Sequence, residues 1–114
     1  MKINYNGKKF KPLSNSENGE VSEDMIFTYH QNGNILESSY SGGEIVKGHL
    51  IGIVSENGEI DMRYHQINKS GNIMTGTCQS KPEIMENGKI KLYETWQWTS
   101  GDQSHGSSVL MEEE

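Results

Sequence analysis

One arginine, Arg63, stands among nine lysines. A planar guanidinium fork suits a carboxylate better than a flexible ammonium does, so Arg63 is a candidate anchor for a small acidic ligand. The competing reading is a surface cross-strand ion pair, worth under about 1 kcal/mol. Glu94 shares the alternate positions of Lys89–Trp98 with Ile90, Leu92, Trp96 and Trp98. If that set faces inward, its carboxyl enters apolar surroundings and must be paired or raised in pKa. A one-residue slip would turn it outward instead. Trp96 and Trp98, two residues apart, stack along one side of an extended strand, either as core or as an aromatic wall whose indole N–H groups can each make a hydrogen bond. Together with Tyr64 and His65, the neighbours of Arg63, these residues form the candidate ligand-binding set. An interior pair between Arg63 and Glu94 conflicts with the apolar register of Ile60, Met62 and Tyr64, and a bulge would be needed to resolve it.

Other groups carry weaker chemistry. His30 and His65 sit in matching Tyr-His-Gln runs with His49 between them, which raises a three-imidazole metal site. Neither a carboxylate nor a cysteine pattern supports it, and hydrogen-bonded cross-strand histidines are the plainer reading. Ser100, Asp102, Ser104 and His105 in the loop 99–108 hold the ingredients of acid–base or nucleophilic work, but closeness in sequence does not make a triad. Cys78 is the one cysteine, with no flanking residue to lower its pKa, and reads as a small half-buried strand residue. No metal, cofactor or catalytic residue is expected.

The elements that must position these groups are strands. From Gly58 to Ile73, Ile60, Met62 and Tyr64 alternate with Asp61, Arg63 and His65, so an extended backbone separates the apolar from the charged set. Asn57-Gly58 and Ser70-Gly71 bound the run. Tyr5-Asn6-Gly7-Lys8 reads as a type I′ hairpin turn between strands at Lys2–Tyr5 and Lys8–Leu13, and Ser14–Asp24 as a loop or distorted edge. Met25–Gln31 sets Met25, Phe27 and Tyr29 against Ile26, Thr28 and His30, and Asn32-Gly33 turns it into Asn34–Ser41. Glu44–Ser55 contains Gly48 and Gly52, glycines that mark bends in a closing sheet. Asn72–Ser80 is followed by Lys81-Pro82, an expected interruption because proline cannot donate to a ladder. Asn87-Gly88 starts Lys89–Trp98. Thr99–Ser107 reads as a loop, Ser108–Met111 as a closing strand, and Glu112–Glu114 as a frayed tail. No segment combines a helical period with caps. Eight to ten strands joined by short turns predict an all-β, antiparallel up-and-down meander closed as a small barrel, with a two-layer sandwich as the alternative.

Size and composition agree with one domain spanning 1–114. A chain of 114 residues buries roughly two-thirds of its unfolded surface. Mean hydropathy is -0.76 and apolar residues are 32%, which fits a barrel with a wet outer face and a partly polar interior. Aromatic residues inside alternating runs argue against disorder. The net charge of -6 with scattered lysines leaves no basic stripe for nucleic acid. No apolar stretch reaches membrane-spanning length, and neither a leader nor a membrane partner is expected. A lone cysteine in so small a chain predicts the cytoplasm. The expected partner is a small molecule, with a monomer or homodimer both open. Three runs also recur in order: Ser16–Glu20 as Ser55–Glu59, Tyr29–Gln31 as Tyr64–Gln66, and Gly33–Ile35 as Gly71–Ile73. A duplicated block of hairpins or independent use of the same turn residues explains them equally.

The SENGE–YHQ–GNI arrangement, SGGEIVKGHLIG at 41–52, DMRYHQIN at 61–68 and YETWQWTSGD at 93–102 resemble a family of small bacterial proteins, some labelled N-acetylglutamate synthase. Acetyl-CoA binding of the usual kind needs a Gly-rich loop opening a helix. Here Ser41-Gly42-Gly43 leads into β-branched residues, so the resemblance implies no catalytic residue. The meander is also similar to the calycin barrels, the lipocalin and fatty-acid-binding group, by architecture alone. The resulting expectation is a small-molecule-binding barrel without catalysis. A module acting through a sheet edge or dimer face is the alternative, and an enzyme with a cavity site the third reading.

Overall fold

The computed structural model describes residues 3–15 and 25–113, and among them every regular element is a strand. These are β1 (Lys9–Asn15), β2 (Phe27–Thr28), β3 (His30–Asn32), β4 (Ile35–Gly42), β5 (Ile45–Val54), β6 (Ile60–Asn68), β7 (Ile73–Ile84), β8 (Ile90–Trp98) and β9 (His105–Glu112). They form a single antiparallel sheet in the order β2-β1-β9-β8-β7-β6-β5-β4-β3. Its two ends are fragments of one run, broken only at Tyr29. Because β2 pairs with β1 and β3 with β4, the sheet closes almost completely on itself, leaving few free ladder groups. The sandwich alternative does not occur.

Alternation sets which side chains face the interior. In β8, Ile90, Leu92, Trp96 and Trp98 are buried while Tyr93, Thr95 and Gln97 are exposed. In β6, Ile60, Met62 and Gln66 are buried and Asp61, Arg63 and His65 exposed. The two-residue period thus holds in both of the strands most relevant to function.

Several boundaries differ from expectation for physical reasons. Residues 3–5 are not a hairpin strand. They cross one end of the barrel as a plug, with the Tyr5 amide donating to Gln31 Oε1 at 2.9 Å and the Tyr5 hydroxyl to the Gly58 carbonyl at 2.6 Å. The Tyr5–Lys8 turn is not type I′ either: Gly7 has φ of +80°, but Asn6 is not left-handed. At Asn57-Gly58 and Asn87-Gly88 likewise only the glycine is left-handed, with φ of +86° and +84°. Ser55 N–H bonds the Glu59 carbonyl and Gly58 N–H the Ser55 carbonyl, and Met85–Lys89 repeats the pattern. This is a type I turn followed by a left-handed glycine bulge, where only the glycine needs the special conformation. Pro82 does not interrupt β7. Pairing with β6 ends at Ser80, whereas pairing with β8 continues through Pro82↔Leu92 to Ile84↔Ile90, so the proline sits where one edge of β7 is already free. β9 starts at His105, earlier than expected, and Glu112 is anchored: its carboxylate accepts from Ile90 N–H at 3.0 Å and lies 3.3 Å from Lys8 Nζ. Most of the loop expected at Ser14–Asp24, including the first of the recurring runs, lies outside the described residues.

Candidate pocket at the tryptophan end

The plugged end of the barrel is packed. Tyr5, Phe10 and Tyr29 form a ring cluster with centroids 4.9–6.0 Å apart, and all three are fully buried. Desolvation pushes the Tyr5 phenol well above its ordinary pKa. Toward the other end the interior opens into a pocket lined by Phe27, Tyr29, Tyr40, Tyr64, Trp96 and Trp98, with Glu94 as its one carboxyl among the described residues and Leu50, Met62 and Leu110 in its aliphatic wall. The cavity measures about 60 Å³, room for a few waters or a small ligand group where one water needs roughly 10–15 Å³.

Strand register explains how each side chain arrives there. Tyr64, Gly76 and Trp98 lie in one cross-strand row. Because Gly76 has no side chain, Tyr64 and Trp98 meet across it edge to face, 5.5 Å between centroids. A Cβ on Gly76 would collide with the Tyr64 ring. Gly48 does the same for Tyr40, whose ring occupies the place an added Cβ would take. Tyr40 is held by donating its hydroxyl to Gln66 Oε1 at 2.9 Å. Both glycines therefore clear space for aromatic rings that border the pocket; neither is in the left-handed region.

The next polar row is Ser80, Glu94 and Ser108, directly paired across β7, β8 and β9. Ser80 Oγ donates to Glu94 Oε2 at 2.9 Å and Ser108 Oγ to Oε1 at 3.1 Å. Burial raises the Glu94 pKa, against the opposing pull of these hydroxyls and of the Cys78 thiol. The same carboxyl acts on its neighbours. Burial first, and Glu94 second, push both Tyr29 and Cys78 well above their ordinary values. Cys78 is therefore a neutral thiol in the wall, not a nucleophile. The Tyr29 hydroxyl is fully buried, with no hydrogen-bond partner among the described residues.

The residues singled out by chemistry divide. Glu94, Trp96, Trp98 and Tyr64 converge on the pocket. Arg63 and His65 do not, because the apolar register of β6 turns them outward, with no bulge in its pairing with β7 to reverse them. Arg63 Nη1 donates to Asp61 Oδ1 at 2.6 Å on the outer surface, and this holds the Asp61 carboxyl below its usual range. Arg63 thus makes a surface ion pair along its own strand, and no interior pair with Glu94 forms. The His65 and His49 rings lie side by side outside the barrel, tilted by 42° with centroids 5.5 Å apart, and His49 Nε2 lies 3.8 Å from Glu37 Oε1. Among the described residues no three His, Cys, Asp or Glu are placed to hold a metal ion. In the loop, Ser100 Oγ accepts from Thr75 N–H and Asp102 from Ser104 N–H, contacts that shape a turn rather than a reactive site. Sequence reasoning missed Ser80, Ser108 and Tyr29 as site residues. Tyr29 is legible as inward-facing by alternation, whereas the two serines become visible only once the register of three strands is known.

Comparison with curated proteins yields no match. The family model described as avidin-like protein matches residues 3–113. That span takes in all nine strands, the plug and the pocket, and its calycin-type barrel agrees with the closed meander seen here. The chain belongs to the avidin-like family.

Proposed function

We propose that this protein is a non-catalytic binder of a small molecule, held in the pocket at the tryptophan end. The observation that carries the reading is the contrast in polar satisfaction inside that pocket. Buried polar groups normally find partners, yet the hydroxyl of Tyr29, buried in the wall of a cavity lined by aromatic rings, has none among the described residues. A guest would supply the missing bond and fill the space, as small-molecule sites combine apolar walls with a few placed polar groups. The avidin-like family, which binds small ligands such as biotin, supports the same use of the barrel. Acid–base catalysis works best with a group whose pKa lies near the operating pH. The groups beside Glu94, Cys78 and Tyr29, are both driven further toward their neutral forms.

A thermal-shift screen of small amines, alcohols, carboxylates and biotin tests this. Binding to the folded state alone raises the melting temperature by mass action, and at least one compound should do so with a saturable dose response. If none does, the reading fails.

A further inference from the structure

The chemical class of the guest follows from the groups that face it; this rests on the pocket being a ligand site. Glu94 is the one carboxyl in the lining, and no lysine, arginine or histidine accompanies it among the described residues. The stretch 16–24 contains no basic residue either. A carboxylate has about four lone-pair positions. Ser80, Ser108 and the Cys78 thiol use three, leaving room for one more donor. The orphan Tyr29 Oη can accept as well as donate. Around these groups stand Trp96, Trp98, Tyr64, Tyr40 and Phe27, whose ring faces attract a cation more than a neutral donor and repel an anion. The chain's net charge of -6 also favours the approach of cations.

We infer that the pocket takes a small protonated organic amine, its ammonium donating to Glu94 and Tyr29 Oη and its carbon chain lying against Trp96 and Trp98. An alcohol of the same length would keep the apolar contacts and lose the charge. A carboxylate would meet another carboxyl, Glu94, and no cation in the described lining. This reverses the expectation built on Arg63, since an acidic ligand would find no cation in the described lining.

The test uses three probes of one chain length in phosphate buffer at pH 7: hexylamine, hexanol and hexanoate. The only two tryptophans of the chain, Trp96 and Trp98, both line the pocket, so indole fluorescence reads binding directly. Hexylamine should bind at least tenfold more tightly than hexanol, with no saturable response to hexanoate. Glu94→Gln should bring hexylamine to within about threefold of hexanol. Tyr29→Phe, which keeps the ring and the packing, should weaken hexylamine severalfold and serves if the Glu94→Gln variant does not fold. Equal or tighter binding of hexanol or hexanoate to the wild-type protein overturns the amine assignment while leaving the pocket a ligand site. Absence of binding by all three, together with a negative screen, overturns both.

Discussion

The two ends of the barrel are built from the same strands by the same alternation, yet among the described residues one is filled and the other is not. At the plugged end Tyr5 enters from outside the sheet and completes a cluster with Phe10 and Tyr29. At the tryptophan end the rings border an opening: Trp96 and Trp98 lie edge to face at 5.7 Å, and Gly48 and Gly76 make room for the Tyr40 and Tyr64 rings beside it. What separates the two is therefore not hydrophobicity, which is high at both. It is whether a segment beyond the ladder supplies the last side chain. Packing is closed at one end, and among the described residues no such segment covers the other.

Substitutions should expose this difference. Phe10→Ala at the plugged end is expected to cost about 3–5 kcal/mol in urea unfolding, the range for large aromatic truncations in a packed core. Trp98→Ala is expected to cost roughly 1–2 kcal/mol less, because its ring already borders open space. Equal losses would remove the distinction between the ends. Gly76→Ala comes next: its methyl must displace the Tyr64 ring and also lies 2.7 Å from the Gln97 carbonyl. It should destabilise by about 1–3 kcal/mol and abolish probe binding. An unchanged Tm would show that Tyr64 does not lie across the glycine.

Glu94 sharpens the comparison through pH. Its folded pKa is raised, so the folded state favours the protonated acid. The associated stability is complete below the unfolded pKa, near 4.5, and is lost as pH rises through the folded value. Stability should thus decline over an interval beginning near pH 4.5 and extending upward. Glu94→Gln should flatten that decline, measured as unfolding free energy across roughly pH 4–8. A variant with the wild-type slope would mean Glu94 is not the group responsible. The smallest effect belongs outside the barrel: Arg63→Ala should change stability by less than about 1 kcal/mol and leave probe affinity unaltered.

The amino-acid pattern made much of this legible. Alternation in β6 and β8 puts Tyr64, Glu94, Trp96 and Trp98 on the inward side, and turn dipeptides locate most hairpins. Arg63 drew notice through its rarity, while its own strand register already pointed it to solvent. Ser80 and Ser108 escaped notice because a serine becomes a carboxylate's partner only through pairing between strands far apart in sequence. Pro82 illustrates the same limit. It can sit within β7 only because pairing with β6 stops at Ser80, a length difference that no local run of residues records. The plug escaped for a related reason, since Ile3–Tyr5 alternates like a strand but its bonds go to Gln31 and Gly58.

The most direct test of a guest at the tryptophan end is fluorescence quenching of Trp96 and Trp98 by acrylamide, with and without the best compound from the thermal screen. A bound guest should shield both indoles and reduce quenching in step with the rise in Tm. Unchanged quenching at a concentration that saturates the thermal shift would place the guest elsewhere and contradict the assignment.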